Sequence, residues 1–290
     1  MPKPLAAQES LESARTRYGH AILVNPADYI GRQILKHGAY DRQTLDLTLA
    51  VLRRMQARTI LDVGANIGNH TLAYASLGCR VVAFEPGGAA FSLLQRNISL
   101  NNLPNVTALN IGLSRSDGRG ILYVDGAGNL GASSLVAGNA ADARPEEIEL
   151  RLGDAVMTEL GIEDVDFIKV DVEGHEHPVF EGLAATIAHC RPLVQMEWDA
   201  NSSDRSWLTE AGAFEPLFPG YDIYALIWNS NVAYWSNKPW GRLRRLAVRL
   251  CSAKRRVLTR FDPVAHSERV NDVLMVPREK TDILGDLYYR

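Results

Sequence analysis

From Thr59 onward the chain alternates short β-branched apolar runs with amphipathic segments, and that alternation constrains the fold more than any other feature. Strands that cross over through helices produce this rhythm, and the right-handed crossover winds the helices onto both faces of a largely parallel sheet. The runs predict strands at Thr59 to Val63, Arg80 to Glu85, Val106 to Gly112, Asp166 to Asp171 and Pro192 to Glu197. Two more follow at Asp222 to Trp228 and Asn271 to Val276. Several are apolar throughout, as strands covered on both faces must be. Between them, Asn69 to Leu77, Ala89 to Asn101 and His177 to His189 carry helical spacing, with Pro178 where a first turn tolerates it.

A chain of 290 residues, 46% apolar and 22% charged, can build one full core with elaborations. Its apolar runs are far shorter than the roughly 20 residues of a spanning helix. Met1 to Arg15 lacks the apolar centre of a secretory signal, so a cytoplasmic protein is expected. Cys79, Cys190 and Cys251 are odd in number and widely spaced, which reads as idle or buried thiols.

Ahead of the alternation, Ala27 to His37 and Arg42 to Gln56 read as two amphipathic helices forming a lid. Gly38 stops the first and Asp41 caps the second. Residues 113–153 interrupt the rhythm with a Gly, Ser and Asp-rich stretch. It holds an apolar run, Ile121 to Val124, and a candidate edge strand, Glu147 to Leu152, and reads as an insertion or extended hairpin.

In such a sheet the ligand binds at the carboxyl ends of the strands, and the first strand-to-helix turn approaches it closely. That turn is Asp62-Val63-Gly64-Ala65-Asn66-Ile67-Gly68. Gly64 and Gly68 remove Cβ atoms from the approach, and Asn66 tolerates a left-handed backbone. Glu85 ends the second strand 21 residues after Gly64, the spacing at which a carboxylate accepts from ribose hydroxyls. A dinucleotide fingerprint would place glycine at 66 and 69, where this chain has Asn66 and Asn69. An acid at Asp62 suits a ligand with an ammonium and a sulfonium better than a pyrophosphate. S-adenosylmethionine is the expected cofactor.

Together, the 62–68 turn, Phe84-Glu85-Pro86, the 94–102 segment with Asn97, and Ile168-Lys169-Val170-Asp171-Val172-Glu173-Gly174 resemble the FkbM family of methyltransferases. The likeness runs from about Asp28 to Glu197. It implies the α/β, Rossmann-like class I methyltransferase sheet of seven strands, doubly wound and mostly parallel with an antiparallel last strand. It further implies cofactor contacts from Asp62, Gly64, Asn66 and Glu85, with Ala65, Gly68 and Pro86 in the same site. The acceptor it implies is a hydroxyl on a sugar, glycolipid or other secondary metabolite. His175 departs from the small or apolar residue many relatives carry there. On this reading residues 1–57 are a helical extension and lid, and 58–290 the methyltransferase domain.

Asp171 closes the strand nearest the reactive end of the cofactor. Methyl transfer to a hydroxyl needs the nucleophile, methyl and sulfur in line and a proton removed. Asp171, His175 and Glu176 are the candidate bases; their competing roles are helix capping and solvation at a positive helix start. A divalent cation held by Asp171 with Glu197 or Asp199 is a weaker alternative, with no ligand spacing to support it. His70, at the first helix, stays unassigned. No base-flipping tetrapeptide or Pro-Cys nucleophile is present, so no nucleic acid partner is expected.

The net charge of −3 conceals a local basic patch, because residues 242–260 hold eight Arg or Lys and no acid. Leu243, Leu246, Ala247, Leu250, Ala253 and Val257 share a helical face, predicting a basic amphipathic arm over about 239–262. Its partners would be an anionic membrane surface or a phosphorylated acceptor. An oxidoreductase and a catalytically silent binding module are the competing functions. The glycine pattern argues against the first, and the acids at 62, 85 and 171 against the second.

Overall fold

The structure, a computed structural model, describes residues 11–124, 135, 144–198, 214–228, 256–261 and 272–287. Asp199, Cys251 and residues 239–255 and 262 of the predicted arm lie outside them.

An antiparallel ribbon, β1 (Glu12–Arg15) and β2 (Ala21–Val24), comes first, followed by helices α1 (Tyr29–His37) and α2 (Arg42–Met55). Then come β3 (Thr59–Val63), α3 (Asn69–Ala75), β4 (Arg80–Phe84), α4 (Gly88–Leu100) and β5 (Val106–Leu109). A smaller sheet follows from β6 (Gly112–Ser114), β7 (Gly118–Val124) and β8 (Arg144–Leu152), in the order β6-β8-β7, leading into α5 (Gly153–Glu159). The chain returns through β9 (Phe167–Val170), α6 (Glu176–Gly182), α7 (Ala184–Cys190) and β10 (Leu193–Glu197). It ends with β11 (Tyr221–Trp228), β12 (Arg256–Arg260), β13 (Asp272–Pro277) and a 3-10 segment, Arg278–Leu287.

Among the described residues the main sheet has eight strands in the order β12-β11-β13-β10-β9-β3-β4-β5. Pairing is parallel from β5 through β10, and β13 runs antiparallel between β10 and β11. This is the class I methyltransferase sheet with one strand added at its edge. Alternate residues of each central strand feed opposite cores. Leu61, Val63, Ile168 and Val170 pack on one face, and Ile60, Phe167 and Leu193 on the other. The inner parallel strands β3, β4, β9 and β10 are therefore largely apolar on both sides, with three buried polar residues, Asp62, Lys169 and Gln195.

Over residues 256–260 the added strand corrects the prediction of a basic helix. Residues 256–260 are extended and pair with β11, Val257 opposite Ile227 and Leu258 opposite Leu226. Val257 joins one core and Leu258 the other, which neighbours in a helix could not do. Two smaller differences have local causes. The strand expected over 106–112 divides after Leu109, because Gly112 pairs with Leu150 in the small sheet. The helix expected over 177–189 breaks at Leu183, next to Gly182, where a Cβ would come within 2.0 Å of the Ser114 carbonyl oxygen.

At the N-terminus the ribbon was not foreseen, and Asn97 of α4 and Asn101 at its C-terminal cap hold it. Asn97 accepts from Leu23 N at 2.7 Å and donates to Leu23 O at 3.2 Å; Asn101 does the same at Ala21, at 2.8 and 2.7 Å. Asp28 caps α1 by accepting from Gly31 N, and Gly38 ends it with φ 74°. Asp41 precedes α2 as expected, but with φ 39° and no side-chain capping bond. No described helix is long and apolar enough to cross a membrane.

Candidate cofactor and acceptor site

The carboxyl ends of β3, β4, β9 and β10 open into two adjoining cavities. The first is lined by the 64–67 turn, Glu85 and Pro86, and by an apolar wall that includes Ile111, Leu122 and Leu150. The second lies under α1, the start of α2 and the loop between them. Tyr40, His70, Lys169, Asp171 and Glu197 line both cavities, so the two meet at the ends of β9 and β10.

Glu85 lines the first cavity. Its Oε2 accepts from Asn66 N at 2.8 Å and its Oε1 from Gly87 N at 2.9 Å, tying the two strand-end turns together. Burial pushes its carboxyl up to about 7 against the pull of those two N–H groups. Each oxygen keeps a further lone pair, so ribose hydroxyls fit as additional donors. Asn66 has the left-handed backbone its position predicts, φ 51°. Asn97 donates to Ile67 O at 2.8 Å and so clamps the turn from behind.

Other residues assigned from sequence sit differently. Asp62 is fully buried beneath the turn and lines neither cavity. Its Oδ2 accepts from Thr71 Oγ1 at 2.6 Å, and its Oδ1 lies 3.9 Å from Lys169 Nζ. Gly64 gives close approach, but to backbone: a Cβ there would sit 1.8 Å from the Asp171 carbonyl oxygen. At Gly68 the obstruction is Leu94 of α4, at 2.8 Å. Gly64, Ala65, Asn66, Glu85 and Pro86 line the first cavity, whereas Gly68 packs outside it.

The three candidate bases separate. Asp171 is at the junction, its Oδ2 accepting from Lys169 Nζ at 3.0 Å. Burial opposes its charge most strongly, but the Lys169 ammonium and a hydrogen bond from Glu197 together hold the carboxyl below its ordinary range. Lys169 in turn stays charged despite burial because Asp171 and Asp62 flank it. His175 reaches only the first cavity, with Nε2 3.0 Å from Ser114 Oγ of β6. Glu176 lines neither cavity; its Oε1 accepts from Gly174 N at 3.1 Å at the start of α6.

His70, unassigned in the sequence, belongs to the junction. Burial and the neighbouring Lys169 charge push its imidazole down to about 3, so it is neutral across the physiological range. Its ring packs on Tyr74 at 6.0 Å. Lys169 and Tyr40 were also missed as site residues. The lysine stood inside the quoted Ile168 to Gly174 motif, but Tyr40 lies in a loop whose sequence carries no signal.

Asp171, Glu173 and Glu197 bring carboxylate oxygens within 4.8 Å of one another, a set of the kind that suits a hard cation. The Lys169 ammonium already occupies one Asp171 oxygen.

The family model for the Methyltransferase FkbM domain matches residues 62–224, more than half of the chain. The chain belongs to the FkbM methyltransferase family. It is 32% identical over 143 residues to Methyltransferase 1 of Beauveria bassiana, covering 43% of this chain and 57% of that protein. Methyltransferase sdnD of Sordaria araneosa is 29% identical over 207 residues, 60% of this chain and 75% of its own. The AMB antimetabolite synthetase AmbE of Pseudomonas aeruginosa is 28% identical over 228 residues, 65% of this chain. This FkbM-family chain thus spans a tenth of the synthetase and little more than half of the Beauveria protein. Among solved structures, the FkbM methyltransferase of Methylobacillus flagellatus is similar at 22% identity and a TM-score of 0.41. The match covers 58% of this chain and 39% of that one.

Proposed function

We propose that this chain transfers a methyl group from S-adenosylmethionine to a hydroxyl of a small-molecule or carbohydrate acceptor. One observation carries the reading: a cavity lined by Glu85 and the 64–67 turn meets a second, polar cavity at Asp171, His70 and Lys169. The cofactor, when bound, supplies an electrophilic methyl on a positively charged sulfur. Glu85 and the backbone of Gly64 to Ile67 would hold its nucleoside, with the apolar wall at Ile111, Leu122 and Leu150 beside the base.

At the junction the residues divide the remaining work. Lys169 and the hydrogen bond from Glu197 keep Asp171 ionised, and Asp171 can orient the acceptor hydroxyl as a hydrogen-bond acceptor. The oxygen that has gained a methyl carries a very acidic proton, so even a weak base suffices to take it. What matters is being unprotonated and within reach. Asp171 and His70 both meet that condition; His175 and Glu176 lie off the junction.

Calorimetry with S-adenosylhomocysteine tests the first half of this reading. Micromolar binding is expected, and binding of NAD in its place would sink it. A labelled-methyl transfer screen over sugars, glycolipids and polyketides tests the second half. In that screen Asp171→Asn should lower kcat by about 100-fold or more, within the range for loss of a proton-handling group, while leaving S-adenosylhomocysteine affinity nearly unchanged.

A further inference from the structure

One stretch of chain walls the second cavity from the N-terminal side. Tyr29, Gln33 and His37 of α1, Tyr40 of the following loop, and Arg42 and Gln43 at the start of α2 all line it. Tyr40 stands between two helices, in a loop whose backbone is left-handed at Gly38, φ 74°, and at Asp41, φ 39°. Backbone groups in such a bend need partners from elsewhere in the fold.

Asn69 supplies them. Its Oδ1 accepts from Tyr40 N at 2.9 Å, and its Nδ2 donates to Tyr40 O at 3.2 Å. Asn69 opens α3 directly after the 62–68 turn, is only 6% exposed, and lines the first cavity. A side-chain amide is suited to this clasp because it carries a donor and an acceptor side by side, whereas an ionised carboxylate offers no donor. Two bonds to one residue fix its orientation as well as its place. Packing joins the same parts, since Ile30 and Ile34 of α1 share a buried cluster with Ile67 of the turn and Leu72 of α3. Ile30 also lines the first cavity.

Resting on the methyltransferase reading above, we propose that Asn69 is a positioning residue that transmits cofactor occupancy to the wall of the second cavity, fixing Tyr40 at the junction. A ligand filling the first cavity bears on the turn, Asn69 and Ile30 together, and so restrains the loop through both the clasp and the apolar cluster. Tyr40 is what the clasp delivers. It lines both cavities, and burial first, then the Asp171 charge, raises its phenol above the ordinary range. The hydroxyl therefore stays protonated, a neutral donor at the same junction as the ionised Asp171. Such a pair can address both the lone pair and the proton of an acceptor hydroxyl.

Hydrogen exchange read by mass spectrometry tests the proposal on the full chain, with and without saturating S-adenosylhomocysteine. In the wild type the ligand should slow exchange over 38–44 as well as over 62–72, by about tenfold, within the usual range of coupling between sites. Asn69→Ala should still bind the ligand, more weakly but saturably in calorimetry, and should keep the protection of the turn while losing that over 38–44. The isosteric Asn69→Asp, which lacks the donor for Tyr40 O, should lose part of it. Tyr40→Phe leaves the backbone clasp intact and should retain all of it. Ligand-bound wild type with unchanged exchange over 38–44 overturns the proposal before any variant is made. Full protection over 38–44 in both Asn69 variants, or its loss in Tyr40→Phe, overturns it as well. Failure of the wild type to bind S-adenosylhomocysteine would instead overturn the methyltransferase reading beneath it.

Discussion

On the proposed reading Glu85 serves the fold and the cofactor together. Its two oxygens pin Asn66 N and Gly87 N, and the same oxygens face the cavity. Replacement by Gln turns one of those acceptors into a donor facing an N–H, so Glu85→Gln should weaken S-adenosylhomocysteine binding by about 1–3 kcal/mol in calorimetry. The pH dependence has a definite sign. Burial raises this carboxyl from 4.5 to about 7, so its folding contribution is full below the unfolded value and is lost as pH rises through about 7. Binding runs the other way, because ribose hydroxyls donate best to the ionised form. Wild-type affinity should therefore tighten between pH 6 and pH 8, and Glu85→Gln should flatten that slope; an unchanged slope in the variant would remove Glu85 as its source.

Elements meet at the 62–68 turn through contacts that a side-chain pattern only partly reveals. The glycine of β3's end is needed because β9 passes so near that its Asp171 carbonyl oxygen fills the space of a Cβ, on a backbone already at φ 80°. Gly64→Ala should lower folding stability by about 1–3 kcal/mol or more through strain, seen as a drop in Tm, rather than only block a ligand. Asn97 is the matching device on α4, bonded to Leu23 of β2 and to Ile67 of the turn. Asn97→Ala leaves those backbone groups without their partner and should destabilise by about 1–3 kcal/mol, with weaker S-adenosylhomocysteine binding as the turn loosens. A stability loss with unchanged affinity would confine Asn97 to holding the ribbon.

For the whole molecule, the decisive arrangement is two cavities meeting over a buried lysine. Lys169 supplies positive charge where three carboxylates converge, so methyl transfer should persist in EDTA, and added Mg²⁺ should not raise it; abolition by chelator and rescue by Mg²⁺ would show that Asp171, Glu173 and Glu197 take a cation after all. The central sheet was legible in the amino-acid order because the inner parallel strands β3, β4, β9 and β10 are buried on both faces and so read as apolar runs. The turn at 62–68 and Glu85 were legible because glycine and acid spacing are local properties of a strand followed by a helix. Residues 256–260 were misread because basic side chains between leucines suit a helix as well as an edge strand; pairing with β11, roughly thirty residues earlier, settled the matter. The junction was hidden for the same reason. Tyr40, His70, Lys169 and Glu197 come from four separate stretches, and only the order in which β10, β9 and β3 lie side by side brings them together. Local spacing thus determined the central strands and the 62–68 turn, while the ribbon, the added strand and the junction of the two cavities depended on long-range contacts, which no short window of residues contains.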